Sequence, residues 1–69
     1  MNIEIKLKSL LKELNMEQRE LAELTGLSSR TVSELVNNKI ERIPKTALTR
    51  IAEALEIKDI RQLIDFKNE

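Results

Sequence analysis

The sequence predicts an all-α, compact domain of five short helices, and three observations predict it. Leu, Ile, Val and Ala recur at helical spacing along most of the chain. One Gly and one Pro in 69 residues are too few to punctuate the many turns of an all-β fold. Hydrophobic residues make up 41% of the chain, enough for one packed core and no second. Residues 1–69 therefore read as a single domain.

The chain opens with Ile3 and Ile5 alternating with Glu4 and Lys6, which fits either a short extended strand or a frayed first helical turn. Leu7, Leu10, Leu11 and Leu14 then follow i, i+3, i+4, i+7 spacing, with Lys6, Lys8, Lys12 and Glu13 turned outward, and predict the first helix. Asn15 breaks the pattern and is read as the cap of the second helix, with Gln18 in the capping-box position. Leu21, Ala22 and Leu24 give that helix its inner face. Thr25-Gly26 ends it, because glycine takes the left-handed conformation beyond a helix C-terminus. Ser28 and Ser29 are both suited to cap a third helix reaching about Asn37, with Val32, Leu35 and Val36 as its apolar stripe. A loop follows over 37–42. Pro44 suits a helix start, where its missing N–H is not needed, and Leu48, Ile51, Ala52 and Leu55 mark the core face of the fourth helix. Ile60, Leu63 and Ile64 repeat the spacing and predict a fifth helix from about Asp59 to Phe66, with Phe66 in the core.

Composition removes several classes of function. Without Cys or His there is no disulfide framework, no Cys/His zinc site and no conventional nucleophile–base pair. The carboxylates are scattered over exposed helix faces, and no Gly-rich phosphate loop exists. An enzyme is not expected, and neither is a cofactor, a metal or a small-molecule ligand. Phe66 is the only aromatic, too little for a platform that stacks unpaired bases. No apolar run approaches the ~20 residues of a membrane span or forms the core of a signal peptide, so a soluble, cytoplasmic protein without a membrane partner is expected.

The formal net charge is zero, which is unlike most nucleic-acid binders. Its distribution is uneven. Residues 1–25 carry four basic and five acidic side chains (−1), and residues 51–69 carry three and five (−2). Between them, residues 26–50 hold Arg30, Lys39, Arg42, Lys45 and Arg50 against Glu34 and Glu41, a sum of +3.

The stretch Gln18 to Leu35, QRELAELTGLSSRTVSEL, carries the most information. It reads as two short helices joined by a tight glycine turn, a helix-turn-helix, whose steep crossing needs specific residues. Ala22 is small where the backbones approach, Gly26 supplies the turn, and Val32 locks the second helix onto the first. In these residues the segment resembles the helix-turn-helix of the Cro and phage-repressor (XRE-like) family. That pattern has Gln opening the first helix, Ala four later, Gly four after that and a β-branched residue six beyond, here Gln18, Ala22, Gly26 and Val32. The resemblance extends to the Leu-rich preceding helix, the Asn37-Asn38-Lys39 loop, Arg42-Ile43-Pro44 and the run Ile51 to Leu55, so it spans nearly the whole chain. Two positions depart from the pattern. Glu17 stands where Ser or Thr is usual, and Asn38 stands for the usual Gly, although Asn tolerates the left-handed region.

The resemblance implies that the outer face of the third helix enters the DNA major groove. Ser28, Ser29, Arg30, Ser33 and Glu34 would then be the base-reading residues. The Arg30 fork can hold guanine O6 and N7 together, or else clamp a phosphate or simply face solvent. Glu34 can accept from cytosine N4, or can pair with Arg30 one turn away. Gln18, Thr31, Asn38, Lys39 and Arg42 would meet phosphates, Gln18 with the help of a helix N-terminus. The expectation is a double-stranded DNA-binding transcriptional regulator, a repressor of a bacterium, phage or mobile element. A homodimer formed on DNA is also expected, using Ile3, Ile5 and Phe66, which the helical stripes leave over; the alternative is that these three simply cover the core. The alternative is a helix-turn-helix protein-interaction module, an antitoxin or adaptor, with DNA contact secondary.

Overall fold

The apolar stripes close on one another around Leu7, Leu21, Val32, Leu35, Ile51 and Leu63, none of which retains measurable exposure. The computed structural model describes residues 2–42 and 44–67. Strand β1 (Asn2–Ile5) leads into helices α1 (Leu7–Glu13), α2 (Gln18–Thr25), α3 (Ser29–Val36) and α4 (Lys45–Ala54). A 3₁₀ turn over Ile60–Gln62 and strand β2 (Ile64–Lys67) complete the order. The extended option for Ile3 and Ile5 is the one realised. The expected stripes are buried in Leu7 and Leu11 on α1, Leu21 on α2, Val32, Leu35 and Val36 on α3, and Leu48 and Ile51 on α4, with Leu10, Ala22, Ala52 and Leu55 half-buried beside them. Leu14 and Leu24, expected on the inner faces of α1 and α2, are instead 48% and 61% exposed, because each sits at the C-terminal end of its helix, beyond the packed core.

The expected fifth helix does not form, so the described residues contain four α-helices and a two-stranded sheet instead of five helices. Asp59 starts the 3₁₀ turn: its carboxylate accepts from the Arg61 N–H at 2.9 Å and pairs with the guanidinium at 2.8 Å. That hydrogen-bonded guanidinium lowers the Asp59 carboxyl from its usual range to about 2. The chain then runs antiparallel to β1, with Ile3 opposite Phe66 and Ile5 opposite Ile64. Ile60, Leu63 and Ile64 cover only one turn, and a helix that short cannot sustain itself. The ribbon offers those residues backbone partners and stacks Ile3, Ile5, Ile64 and Phe66 on one face, where branched and aromatic side chains pack well. Ile64 and Phe66 also satisfy a period of two, which the helical reading overlooked.

Phe66 is not a core residue. Ile5 is 5% exposed beneath the ribbon, but Ile3 and Phe66, one pair further along, are 60% and 61% exposed. The ribbon overhangs the helical body at that end.

Asn15 is not the cap of α2. It sits at φ 53°, just beyond α1, where the Asn15 N–H donates to the Lys12 carbonyl at 3.2 Å and the Met16 N–H to that of Leu11 at 2.9 Å. This is a Schellman termination, and Asn fills its left-handed position. Glu17 is the N-cap instead, with Glu20 reaching back to accept the Glu17 N–H at 3.0 Å in a capping box. Asn38 (φ 55°) and Glu56 (φ 55°) end α3 and α4 in the same left-handed way, and Gly26 (φ 75°) ends α2.

These terminations predict opposite effects at two sites. A Cβ at Gly26 would meet only the Arg50 guanidinium, at 3.9 Å, so Gly26→Ala should cost about 1 kcal/mol through backbone conformation alone. Glu56→Gly relieves the same constraint and should stabilise by about 0.5 kcal/mol. Urea denaturation of both variants checks the pair of signs.

Candidate nucleic-acid interface

Helix α3 is fastened by its ends and by one face. Ser28 is its N-cap: the Ser28 hydroxyl accepts from the Thr31 N–H at 3.1 Å and donates to the Thr31 hydroxyl at 2.9 Å. Before it, the buried Thr25 hydroxyl donates to the Leu21 carbonyl at 2.7 Å and accepts from the Leu27 N–H at 3.3 Å, which stiffens the turn between α2 and α3. With Val32, Leu35 and Val36 buried, the other side of α3 faces outward. Ser29 and Arg30 are exposed there, Ser33 and Glu34 half-buried.

The Arg30 side chain is 88% exposed, and its Nε lies 3.9 Å from Glu34 Oε1. The one-turn pairing considered from the sequence is therefore present, at the outer limit of an ion pair. Exposed pairs of this kind contribute little, so Arg30 can leave Glu34 at small cost. The Asn37 side-chain amide donates to the Ser33 carbonyl at 2.9 Å and to the Ser33 hydroxyl at 3.4 Å.

Gln18, the first residue of α2, is exposed at a helix start whose free N–H groups favour an anion. It shares a concavity of about 400 Å³ with Lys8 and Lys12 of α1 and Asn37 at the end of α3. Glu17 also lines this concavity, and the two lysines oppose its charge. Lys8, Lys12 and Asn37 are additions to the sequence-based site. Lys8 and Lys12 stand one turn apart on the outer face of α1, but only the packing of α1 brings them beside the start of α2.

The other expected phosphate residues are placed differently. Lys39 and Arg42 are exposed on the loop after α3. The Asn38 side chain instead reaches Ile5: its Oδ1 accepts from the Ile5 N–H at 2.7 Å, and its Nδ2 donates to the Ile5 carbonyl at 2.9 Å. Thr31 is half-buried and tied to Ser28. The structure thus brings Gln18 together with lysines and Asn37, and leaves Lys39 and Arg42 on a separate loop.

Among the described residues there is no cluster of acidic side chains able to hold a metal, and no helix long and apolar enough to cross a membrane. A concavity of about 600 Å³, mostly apolar, lies between α4 and the segment holding Ile57, Ile60 and Ile64, and uses no residue of α2 or α3.

Two short packed helices, a left-handed glycine turn and a second helix with one polar face outward make a helix-turn-helix. Residues 6–69 match the Cro/C1-type helix-turn-helix DNA-binding domain, and the chain belongs to that family of DNA-binding regulators. The match begins after β1. No curated protein and no solved structure matches the chain.

The Ser28 cap generates a prediction about stability. Ser28→Ala should cost about 1 kcal/mol by thermal denaturation, and Ser28→Asp, which restores an acceptor, should recover most of it.

Proposed function

We propose that the protein is a sequence-specific, double-stranded DNA-binding repressor that acts in the cytoplasm of a bacterium or in a phage-infected cell. The observation that carries this reading is the exposed outer face of α3, with Arg30 projecting from it beside Ser29, Ser33 and Glu34. Arg30 reads a guanine through its two-pronged fork, and Glu34 either accepts from a cytosine amine or releases Arg30 to do so. Gln18, Asn37, Lys8 and Lys12 hold one stretch of phosphate backbone while Lys39 and Arg42 hold another. Ser28 and Thr31 serve chiefly by fixing the start of α3. Repression follows from occupancy: a protein seated on an operator excludes polymerase from the same DNA.

In vitro selection of duplex DNA by the purified protein tests the proposal. About four neutralised phosphates should give a slope of roughly −3 to −4 for log K against log salt, read by fluorescence anisotropy on the selected site. Absence of binding at low salt would instead favour the protein-interaction reading. Arg30→Ala should cost about 1–3 kcal/mol and relax preference at one or two base pairs, whereas Lys39→Ala should weaken all sequences about equally. A uniform loss in Arg30→Ala with preference intact would make Arg30 a phosphate contact.

One α3 reads too few base pairs to mark a unique site, so the working unit is two copies on half-sites about one helical turn, roughly 34 Å, apart. The exposed Ile3–Phe66 end of the ribbon is the surface for the second copy. So small a patch falls short of the ~1,000 Å² that a stable dimer usually buries, and assembly therefore requires DNA. In sedimentation, the free protein should run as monomer at micromolar concentration and saturate a symmetric site with two copies. Saturation with one copy would rule the dimer out.

A further inference from the structure

Asn38 meets both backbone polar groups of a residue 33 positions away: the Ile5 N–H donates to it at 2.7 Å and the Ile5 carbonyl accepts from it at 2.9 Å. Exchange of both bonds with one residue is what a neighbouring antiparallel strand would make. The amide of Asn38 thus stands in for a third strand on the edge of β1 that faces away from β2. Its backbone, at φ 55°, closes α3, and the next residue is Lys39. Ile3 and Glu4 of β1 line one concavity together with Ile40 and Glu41 of the loop, so strand and loop adjoin over several residues. Beyond the Lys39 N–H, which donates to the Glu34 carbonyl at 2.9 Å, the loop is tied down by half-buried Ile40 and by this clamp.

We propose that Asn38 is a positioning residue. By fastening the loop after α3 to strand β1, it holds Lys39 and Arg42 where they meet phosphate. Residues 2–5, which precede the family match, thereby become part of the DNA-binding unit. A cation on an ordered loop surrenders less conformational freedom on binding than one on a loose loop. The inference rests on the DNA-binding reading above. It reassigns Asn38 from contacting phosphate to placing the residues that do.

Asn38→Gly removes the clamp and keeps the turn, since glycine adopts that φ freely. Binding to the selected duplex is measured across salt concentrations for the wild-type chain, Asn38→Gly, Lys39→Ala/Arg42→Ala and the triple variant. Asn38→Gly should bind about three- to tenfold more weakly, with a salt slope shallower by about 1–2 and an unchanged base preference. In the Lys39→Ala/Arg42→Ala background it should change affinity by less than about twofold, because the residues it acts through are gone. The Ile5 amide of free Asn38→Gly should also lose hydrogen-exchange protection. An equal loss in both backgrounds, wild-type affinity in Asn38→Gly, or a still-protected Ile5 amide would each overturn the proposal. Failure of the wild type to bind any duplex would overturn the DNA-binding reading and this inference with it, while Ile5 exchange would still report whether the clamp exists.

Discussion

Val32 and Leu35 have no exposed surface, Val36 almost none, and on their burial the rest of the molecule depends. Each such side chain contributes on the order of 1.5–3 kcal/mol when fully buried, a large share of the stability of a domain this small. Because the three lie on one side of α3, burying them fixes the helix's rotation about its axis. Serine, arginine and glutamate side chains on the remaining side are thereby turned outward, with only the Arg30–Glu34 pair and the Asn37–Ser33 hydrogen bonds among them. The exposed face of α3 is the complement of its packing face.

Holding α3 against α2 depends on the ends of the helices as much as on their faces. Short helices leave most of their backbone groups near a terminus, so unsatisfied N–H and C=O groups weigh heavily here. The protein meets this with left-handed terminations at Asn15, Gly26, Asn38 and Glu56, and with caps at Glu17, Ser28 and Asp59. Asn38 does two things at once: its backbone ends α3 while its side chain completes the edge of β1. Helix α3, the following loop and the N-terminal strand are joined at that residue.

Zero net charge does not deprive the molecule of a local field. The central segment carries +3, and packing adds Lys8 and Lys12 of α1 to the start of α2. Acidic residues outnumber basic ones on either side of that segment, in residues 1–25 and 51–69, although Glu17 lines the concavity at the start of α2 and Glu34 lies on α3. Balanced charge of this kind limits long-range attraction to any polyanion and shifts discrimination toward close contacts.

Helical periodicity by itself determined α1 to α4, most of their buried stripes and the Gly26 turn, because each depends on residues within a few positions of one another. It missed that Leu14 and Leu24, at the C-terminal ends of α1 and α2, are exposed. It also determined the outward set on α3, since a helix with one apolar stripe has only one way to face a core. The chain ends were decided by tertiary structure. Ile60, Leu63 and Ile64 fit a helix as well as they fit a turn and a strand, and the choice rested on β1, some sixty residues away in sequence, which offered backbone partners that a single helical turn lacks. The role of Asn38 was equally hidden. An asparagine in the loop after α3 reads as a phosphate contact or an ordinary surface residue, and nothing near it in sequence reveals that Ile5 lies within 3 Å of its amide. Local patterns are set by neighbours along the chain, whereas hydrogen bonds closed between its two ends belong to the fold.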